Sequence, residues 1–374
     1  MEELFISCPH HFEDLLLQEL ENLGIEKVRQ GFCGVHAPAD MRNVYLINYG
    51  SRIATRVLWP LTRFGCPDQE ALYTMSKRVG WAKYLNVDQT FAIDSNVSHH
   101  TLKNSLYASL VVKDAICDYF RDKTGSRPSI DVQNPTVQLN LFIQKGQATL
   151  YLDTSGAPLH KRGWRLENTE ATLHESIAAA LLIGSGFKNG MTFCDPFCGS
   201  GTFLVEAAMI ATHTPPGFFR KSFGFMHMPL YRQSEWEKIK HSFDEKISPL
   251  DKGMIFGSDK NPDTFKICYK HIKSTNFRGL IELENQDVAT YHLPIKPKLV
   301  VCNPPYGKRL ELTPAIAQGL KQFIDRECDQ NTRIFILASG STVMEDLGKP
   351  AKEEIAFKNG GMAISLYSIK QSAS

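Results

Sequence analysis

Along the first 65 residues the apolar positions change period repeatedly. Glu3–Cys8 alternates and reads as a strand. Phe12, Leu15, Leu16, Leu20 and Leu23 recur at helical spacing, and Gly24 closes that helix. Val28–Ala37 alternates again, and Met41–Leu58 predicts a second helix. Residues 1–65 therefore read as a small α+β unit. Beyond them, Asn104–Phe120 predicts an amphipathic helix with Leu106, Leu110, Val111, Ala115 and Cys117 on or near one face. Two alternating runs, Val137–Gln144 and Gln147–Asp153, are joined by Lys145-Gly146 and predict a hairpin. They close a second α+β unit at residues 66–158.

From about residue 170 predicted strands alternate with predicted helices, which argues for α/β architecture and a mostly parallel sheet. The strands are Met191–Cys194, Met254–Ser258, Leu280–Glu284, Leu299–Cys302 and Arg333–Leu337. The helices are Glu170–Ile183, Thr202–Thr212, Asn261–Ser274 and Thr313–Glu327. Glu353–Phe357 and Met362–Ile369 are split by Asn359-Gly360-Gly361, so this sheet is expected to finish in an antiparallel hairpin. Residues 159–374 form this third unit. Residues 214–251 break the alternation and read as an insertion over the C-terminal edge of the sheet, with Phe218, Phe219, Arg220 and Lys221 walling a substrate pocket.

Charge changes the picture only locally. The chain has 374 residues and a formal net charge of +2, which excludes a polybasic coat but not a local basic patch. Basic residues gather at Lys77/Arg78/Lys83, at Arg121/Lys123/Arg127, at Lys161/Arg162/Arg165 and at Arg220/Lys221. Each group can touch phosphate, and each can equally be a solvated face. No apolar run approaches the ~20 residues of a membrane span. The acidic start, Met1-Glu2-Glu3-Leu4, lacks the basic region of a secretory signal. Nine scattered cysteines with no CxxC fit a reducing, cytoplasmic compartment, and no ligand set has zinc-finger spacing, so no metal is expected. Cys194 and Cys198 read as packing residues, and the pair His99-His100 as surface.

Asp195-Pro196-Phe197-Cys198-Gly199-Ser200-Gly201-Thr202 follows a predicted strand and opens a helix. Glycines there let a ligand approach the backbone, at the sheet edge where open α/β folds bind ligands. The third glycine of a dinucleotide fingerprint is missing, and Asp195 would repel pyrophosphate. A carboxylate at that place suits a cationic ligand, the amino group of S-adenosylmethionine. Gly199-Ser200-Gly201 does not have the spacing of a nucleophile elbow. Asp259, 64 residues after Asp195, can accept both ribose hydroxyls or cap the following helix. Asp287 can bond an adenine amino group or serve as a turn residue.

Asn303-Pro304-Pro305-Tyr306 follows the strand Leu299–Cys302 at the same edge. Two prolines remove two backbone donors and stiffen the turn. The Asn303 side-chain oxygen and the Pro304 carbonyl can each take one proton of an exocyclic amine, while Tyr306 can stack on the base. Holding both protons draws the nitrogen toward sp³ and aims its lone pair at a methyl donor, so positioning does the work of a strong base.

Together, Asp195–Thr202 and Asn303–Tyr306 resemble the class I (Rossmann-like) S-adenosylmethionine-dependent methyltransferases that act on amino groups of bases. Leu159–Arg165 followed by Glu170–Glu175 is similar to the link between a THUMP domain and a guanine-N2 methyltransferase domain. Over essentially the whole chain, the sequence resembles the 23S rRNA guanine-N2 methyltransferases of the RlmL type: a ferredoxin-like unit, a THUMP RNA-binding domain, then the catalytic domain. The resemblance implies a cofactor site at Asp195, Pro196, Phe197, Gly199, Ser200, Gly201, Thr202, Asp259, Lys260, Asp287, Val288 and Asn303. It implies that Asn303, Pro304, Pro305 and Tyr306 hold the target guanine. Expected partners are ribosomal RNA of the large subunit or, with the same architecture, tRNA. DNA adenine-N6 methylation and a non-catalytic RNA-binding role are the remaining alternatives. Some relatives of this type carry a second methyltransferase domain; on this sequence one activity is expected.

Overall fold

The computed structural model describes residues 2–98, 102, 104–167, 172–305, 314–339, 347–359 and 361–370. Two sheets organise them. The first is built from β1 (Glu3–Ser7), α1 (Glu13–Asn22), β2 (Arg29–Gly31), β3 (Gly34–Pro38), α2 (Met41–Gly50), β4 (Arg56–Gly65), α3 (Gln69–Lys77), β5 (Thr90–Ser98), α4 (Ser105–Thr124), β6 (Ser129–Ile130), β7 (Val137–Gln144) and β8 (Gln147–Asp153). Its eight strands run in the order β2-β3-β1-β4-β8-β7-β5-β6. Strand β4 pairs antiparallel with β1 on one side and β8 on the other, so one sheet runs through both N-terminal stretches.

Two predicted elements are corrected by the fold. The helix expected over Met41–Leu58 stops at Gly50, because the chain finds better partners in extended form. The Glu19 carboxylate accepts from Ser51 Oγ at 2.5 Å and from the Arg52 and Ile53 N–H groups at 2.7 and 3.2 Å. Val57 and Leu58 then enter β4 opposite Ile6 and Phe5. On α4, Leu106 and Leu110 are 69% and 45% exposed. The face that packs carries Val111, Val112, Ala115, Ile116 and Phe120 instead. The helix is held by Asn104 at its start and by Gly125, with φ of 74°, at its end.

The second sheet follows: α5 (Glu175–Gly184), β9 (Phe193–Asp195), α6 (Thr202–Ala211), α7 (Gln233–Asp244), β10 (Ile255–Ser258), α8 (Pro262–Lys273), β11 (Ile281–Glu284), β12 (Leu299–Cys302), α9 (Pro314–Glu327), β13 (Arg333–Ala338), β14 (Ala351–Asn359) and β15 (Met362–Ile369). The order is β11-β10-β9-β12-β13-β15-β14. The first five are parallel, β15 runs antiparallel to β13, and β14 to β15. Strands β9, β10 and β12 are buried throughout, which is why they read as short apolar runs rather than alternations. The order reverses direction between β9 and β12, the kind of switch point where open α/β sheets bind ligands.

The 214–251 insertion does not wall the cleft at the C-terminal edge of this sheet, a third correction. Its aromatic residues pack on α2 instead. Trp236 packs edge-on to Tyr49 and Phe223, Phe225 packs on Tyr45, and Tyr49 donates to Asp244 at 2.6 Å. The insertion therefore ties the N-terminal unit to the catalytic-type sheet.

The candidate cofactor and substrate cleft

A cleft of about 620 Å³ opens at the C-terminal edge of the second sheet. The loop between β9 and α6 forms its floor. Gly199 and Gly201 have φ of 54° and 87°. At Gly201 a Cβ would come within 2.7 Å of Cys268 Sγ, so both conformation and space demand glycine there. Gly201 itself packs away from the cleft.

The predicted cofactor residues Asp195, Pro196, Phe197, Gly199, Ser200, Thr202, Asp259, Lys260, Asp287, Val288 and Asn303 all line the cleft. Asp195 is buried and accepts the Phe197 N–H at 3.0 Å. Burial pushes its carboxyl well above the usual range, and Asp259 adds to the effect. A cation arriving beside it would restore the charged form. Asp259 does not cap α8. Its two oxygens accept the N–H groups of Gly199 at 3.0 Å and Asn261 at 2.8 Å, while Asn261 provides the cap. Asp287 is exposed, accepts the Ala289 N–H at 3.0 Å and stands 3.8 Å from Lys260.

Asn303, Pro304 and Pro305 line the same cleft, one strand over from Asp195. Asn303 Oδ1 is buried with no hydrogen-bond partner among the described residues. An orphaned buried acceptor costs about 1–3 kcal/mol, so it is an open position for a donor. Tyr306 lies outside the described residues, as do His99 and His100. Sequence reasoning missed other lining residues, among them Leu173, Thr264, Asn359 and Met362. The Asn-Gly hairpin signal located the last pair but carried no hint that these two residues line the cleft.

Several of the predicted phosphate contacts are corrected. Arg162 is 1% exposed and pairs with buried Glu206 at 3.3 Å, bonding also the Arg52 and Leu159 carbonyls at 2.5 and 2.9 Å. Arg165 lies beneath the glycine-rich loop: Nε donates to Glu175 at 2.7 Å, and its two terminal nitrogens donate to Ser200 Oγ at 2.9 Å and Thr202 Oγ1 at 2.8 Å. Arg220 is largely buried and donates to the carbonyls of Ser155, Ala157, Pro158 and Lys161. Burial pushes its pKa down to about 10. These three stretches share a domain junction whose backbone carbonyls and carboxylates outcompeted solvent. Lys77 pairs with Asp122 at 2.7 Å and Arg121 with Asp118 at 2.6 Å. Lys123 lies against Tyr119, at 3.0 Å from its hydroxyl. Arg78, Arg127, Lys161 and Lys221 are exposed.

All nine cysteines are free. Among the described residues, one group with possible metal ligands occurs, His10, Glu13 and Cys33; it lies in the N-terminal unit and is not part of the cleft. No helix among them is long and apolar enough to cross a membrane.

Comparison with known proteins agrees with this geometry. Residues 66–153 match the THUMP domain and residues 3–58 the RlmL ferredoxin-like domain. The chain is 34% identical over 388 aligned residues to a ribosomal RNA large subunit methyltransferase K/L of Pseudomonas fluorescens, covering 98% of this chain and 50% of that protein. It is 33% identical to the enzyme of that name from Pseudomonas aeruginosa, covering 98% and 52%. The chain thus spans about half the length of the curated relatives it matches. Among solved structures, one described as a predicted N6-adenine-specific DNA methylase from Listeria monocytogenes is 26% identical with a TM-score of 0.83, covering 98% of this chain and 96% of that one. A putative methyltransferase complexed with SAH shares the fold, with a TM-score of 0.86 at 24% identity over 100% and 99% of the two chains. Residues 162–366, more than half of the chain, match the model described as the RMKL-like methyltransferase domain, and the chain belongs to that family.

Proposed function

We propose that this protein transfers a methyl group from S-adenosylmethionine to the exocyclic N2 of a guanine in large-subunit ribosomal RNA, in the cytoplasm. The observation that carries the reading is Asn303 Oδ1: a buried acceptor without a partner among the described residues, on a proline-stiffened turn, in the cleft that also holds buried Asp195. The donor set suits the cofactor. Asp195 offers a carboxylate to its amino group, Asp259 and Asp287 offer acceptors to its ribose and adenine, and the bound cofactor supplies the electrophilic methyl.

The chain's residues then do the rest. Asn303 Oδ1 and the Pro304 carbonyl each accept a hydrogen bond from one N–H of the amine and fix the nitrogen in line with the methyl; once the N–C bond has formed, the nitrogen sheds one of those protons to water. Tyr306 supplies the stacking face for the base. With the attacking nitrogen held within a near-attack geometry, most of the barrier reduction comes from positioning, and no strong base is required. The target must be single-stranded or flipped out, at a cost of a few kcal/mol. Residues 1–65 and 66–158 serve as the RNA-gripping units and residues 159–374 as the catalytic one. The relatives named for large-subunit RNA favour rRNA over tRNA as the substrate.

The test uses purified protein, labelled S-adenosylmethionine, and ribosomal RNA and tRNA from cells lacking the gene. Digestion and mass analysis should find N2-methylguanosine in large-subunit RNA. The same nucleoside in tRNA alone would overturn the substrate, and methyladenosine would overturn the amine assigned to Asn303.

A further inference from the structure

We infer that Asn359 reads the Watson–Crick edge of the target base, beside the amine that Asn303 holds. The inference rests on the proposed base-amine methylation.

The first support is register. Ser365 of β15 stands opposite Ala338, the last residue of β13, and Met362 lies three residues before Ser365. The Asn359–Met362 end of the β14–β15 pair therefore extends past the C-terminal end of β13, at the edge that carries the cleft. Asn359 and Met362 are cross-strand partners there, and both line the cleft.

The placement along the sheet sorts the cleft into two ends. Asp259 and Asp287 follow β10 and β11, on one side of β9. Asn303 follows β12, on the other side, and the hairpin lies beyond it past β13. The acceptors suited to ribose and adenine are thus at one end, and Asn359 is at the opposite end, past the turn that takes the amine.

Asn359 is 8% exposed and its carboxamide makes no hydrogen bond among the described residues, so its polar atoms reach the open cleft. An amide in this state suits a ligand that offers a donor and an acceptor side by side. Guanine does so next to its 2-amino group: N1–H is a donor and O6 an acceptor. The Asn359 Oδ1 accepts from N1–H while Nδ2 donates to O6, and Met362, 45% exposed, offers an apolar flank. Asn359 is then a positioning and specificity residue, touching the base but not the transferred methyl.

The experiment compares guanine with 2-aminopurine, which keeps the 2-amino group but lacks O6 and N1–H. Large-subunit RNA is assembled by ligation with one or the other at the nucleotide found methylated. The wild-type protein should prefer guanine by about tenfold or more in kcat/KM, since 2-aminopurine loses both hydrogen bonds to Asn359 and each is worth up to about that factor. In Asn359→Ala the preference should fall to within about threefold, with guanine turnover reduced and S-adenosylhomocysteine affinity unchanged. Any difference in intrinsic reactivity of the two amines cancels in this comparison of ratios. An undiminished preference would overturn the assignment while leaving the methylation reading intact. Loss of S-adenosylhomocysteine affinity in Asn359→Ala would also overturn it, by moving the residue to the cofactor end or to the fold. Absence of N2-methylguanosine from the wild-type reaction would overturn both.

Discussion

Arg121 and Arg165 come from basic clusters that look alike along the chain, yet they meet opposite fates. Arg121 stays half in solvent, paired with Asp118 one helical turn away. Arg165, with 9% of its side chain exposed, is taken up by Glu175, Ser200 and Thr202. Arg162, just before it in the same linker, is buried against Glu206. A guanidinium has five donors in a rigid fork, so a junction rich in carbonyls and carboxylates can absorb it completely. The lesson is that a basic cluster in a linker between two folded units is as apt to be mortar as an RNA grip. The clusters on α3 and α4 remain outside.

The comparison breaks most sharply at Arg162. Arg162→Ala strips the partner from Glu206 Oε1 and leaves a buried carboxyl whose Oε2 already has none among the described residues. Breaking a buried pair in this way costs about 3–5 kcal/mol. Urea unfolding should report a loss of that size, and adding Glu206→Gln should recover a large part of it. Burial raises the Glu206 pKa while Arg162 and Arg52 lower it, so removing Arg162 also favours the protonated acid. A loss under about 1 kcal/mol would mean that Arg52 alone satisfies Glu206.

A smaller effect is expected at Arg165, and it sits in binding rather than folding. The side chain ties the glycine-rich loop to α5 through three hydrogen bonds. Arg165→Ala should weaken S-adenosylhomocysteine binding about tenfold, roughly 1.4 kcal/mol. Arg165→Lys should fall between, since an ammonium can keep Glu175 but cannot span both hydroxyls. Calorimetric titration decides it; equal affinity in all three proteins would remove Arg165 from the support of the loop.

What the sequence disclosed and what it hid divide along the same physical line. The short buried strands β9, β10 and β12 and the turns after them were legible because parallel strands leave continuous apolar runs, and because glycine and proline mark special backbone. Leu299–Cys302 was located to the residue. The cleft residues follow those turns, so eleven of the twelve candidate cofactor positions fall on its lining, Gly201 being the exception. Tertiary partners were not legible. Gly50 ends α2 because a carboxylate from α1, Glu19, waits for residues 51–53. Leu106 and Leu110 looked like core because helical spacing cannot say which of two adjacent apolar stripes meets a neighbour. Arg220 looked like a pocket wall because nothing local reveals the four carbonyls it would meet.

The smallest effect should come from the basic residues that stayed outside. Arg127, Lys161 and Lys221 are exposed, and Lys161 lies next to Arg220, whose guanidinium holds its carbonyl at 2.9 Å. If these three touch phosphate, replacing them with serine leaves the fold and S-adenosylhomocysteine affinity intact. RNA affinity then falls severalfold near physiological salt. The slope of log affinity against log salt should flatten by about 0.7–0.9 for each phosphate that is no longer neutralised. Filter binding of large-subunit RNA across a salt series reads both quantities. An unchanged slope would place the phosphate grip elsewhere, on Arg78 and the face of α3 and α4, where the surviving charges are partly neutralised by Asp118 and Asp122. A flattened slope would show an inner set of arginines that holds the domains together and an outer set that meets the RNA, Lys161 and Lys221 at the junction and Arg127 beside α3 and α4.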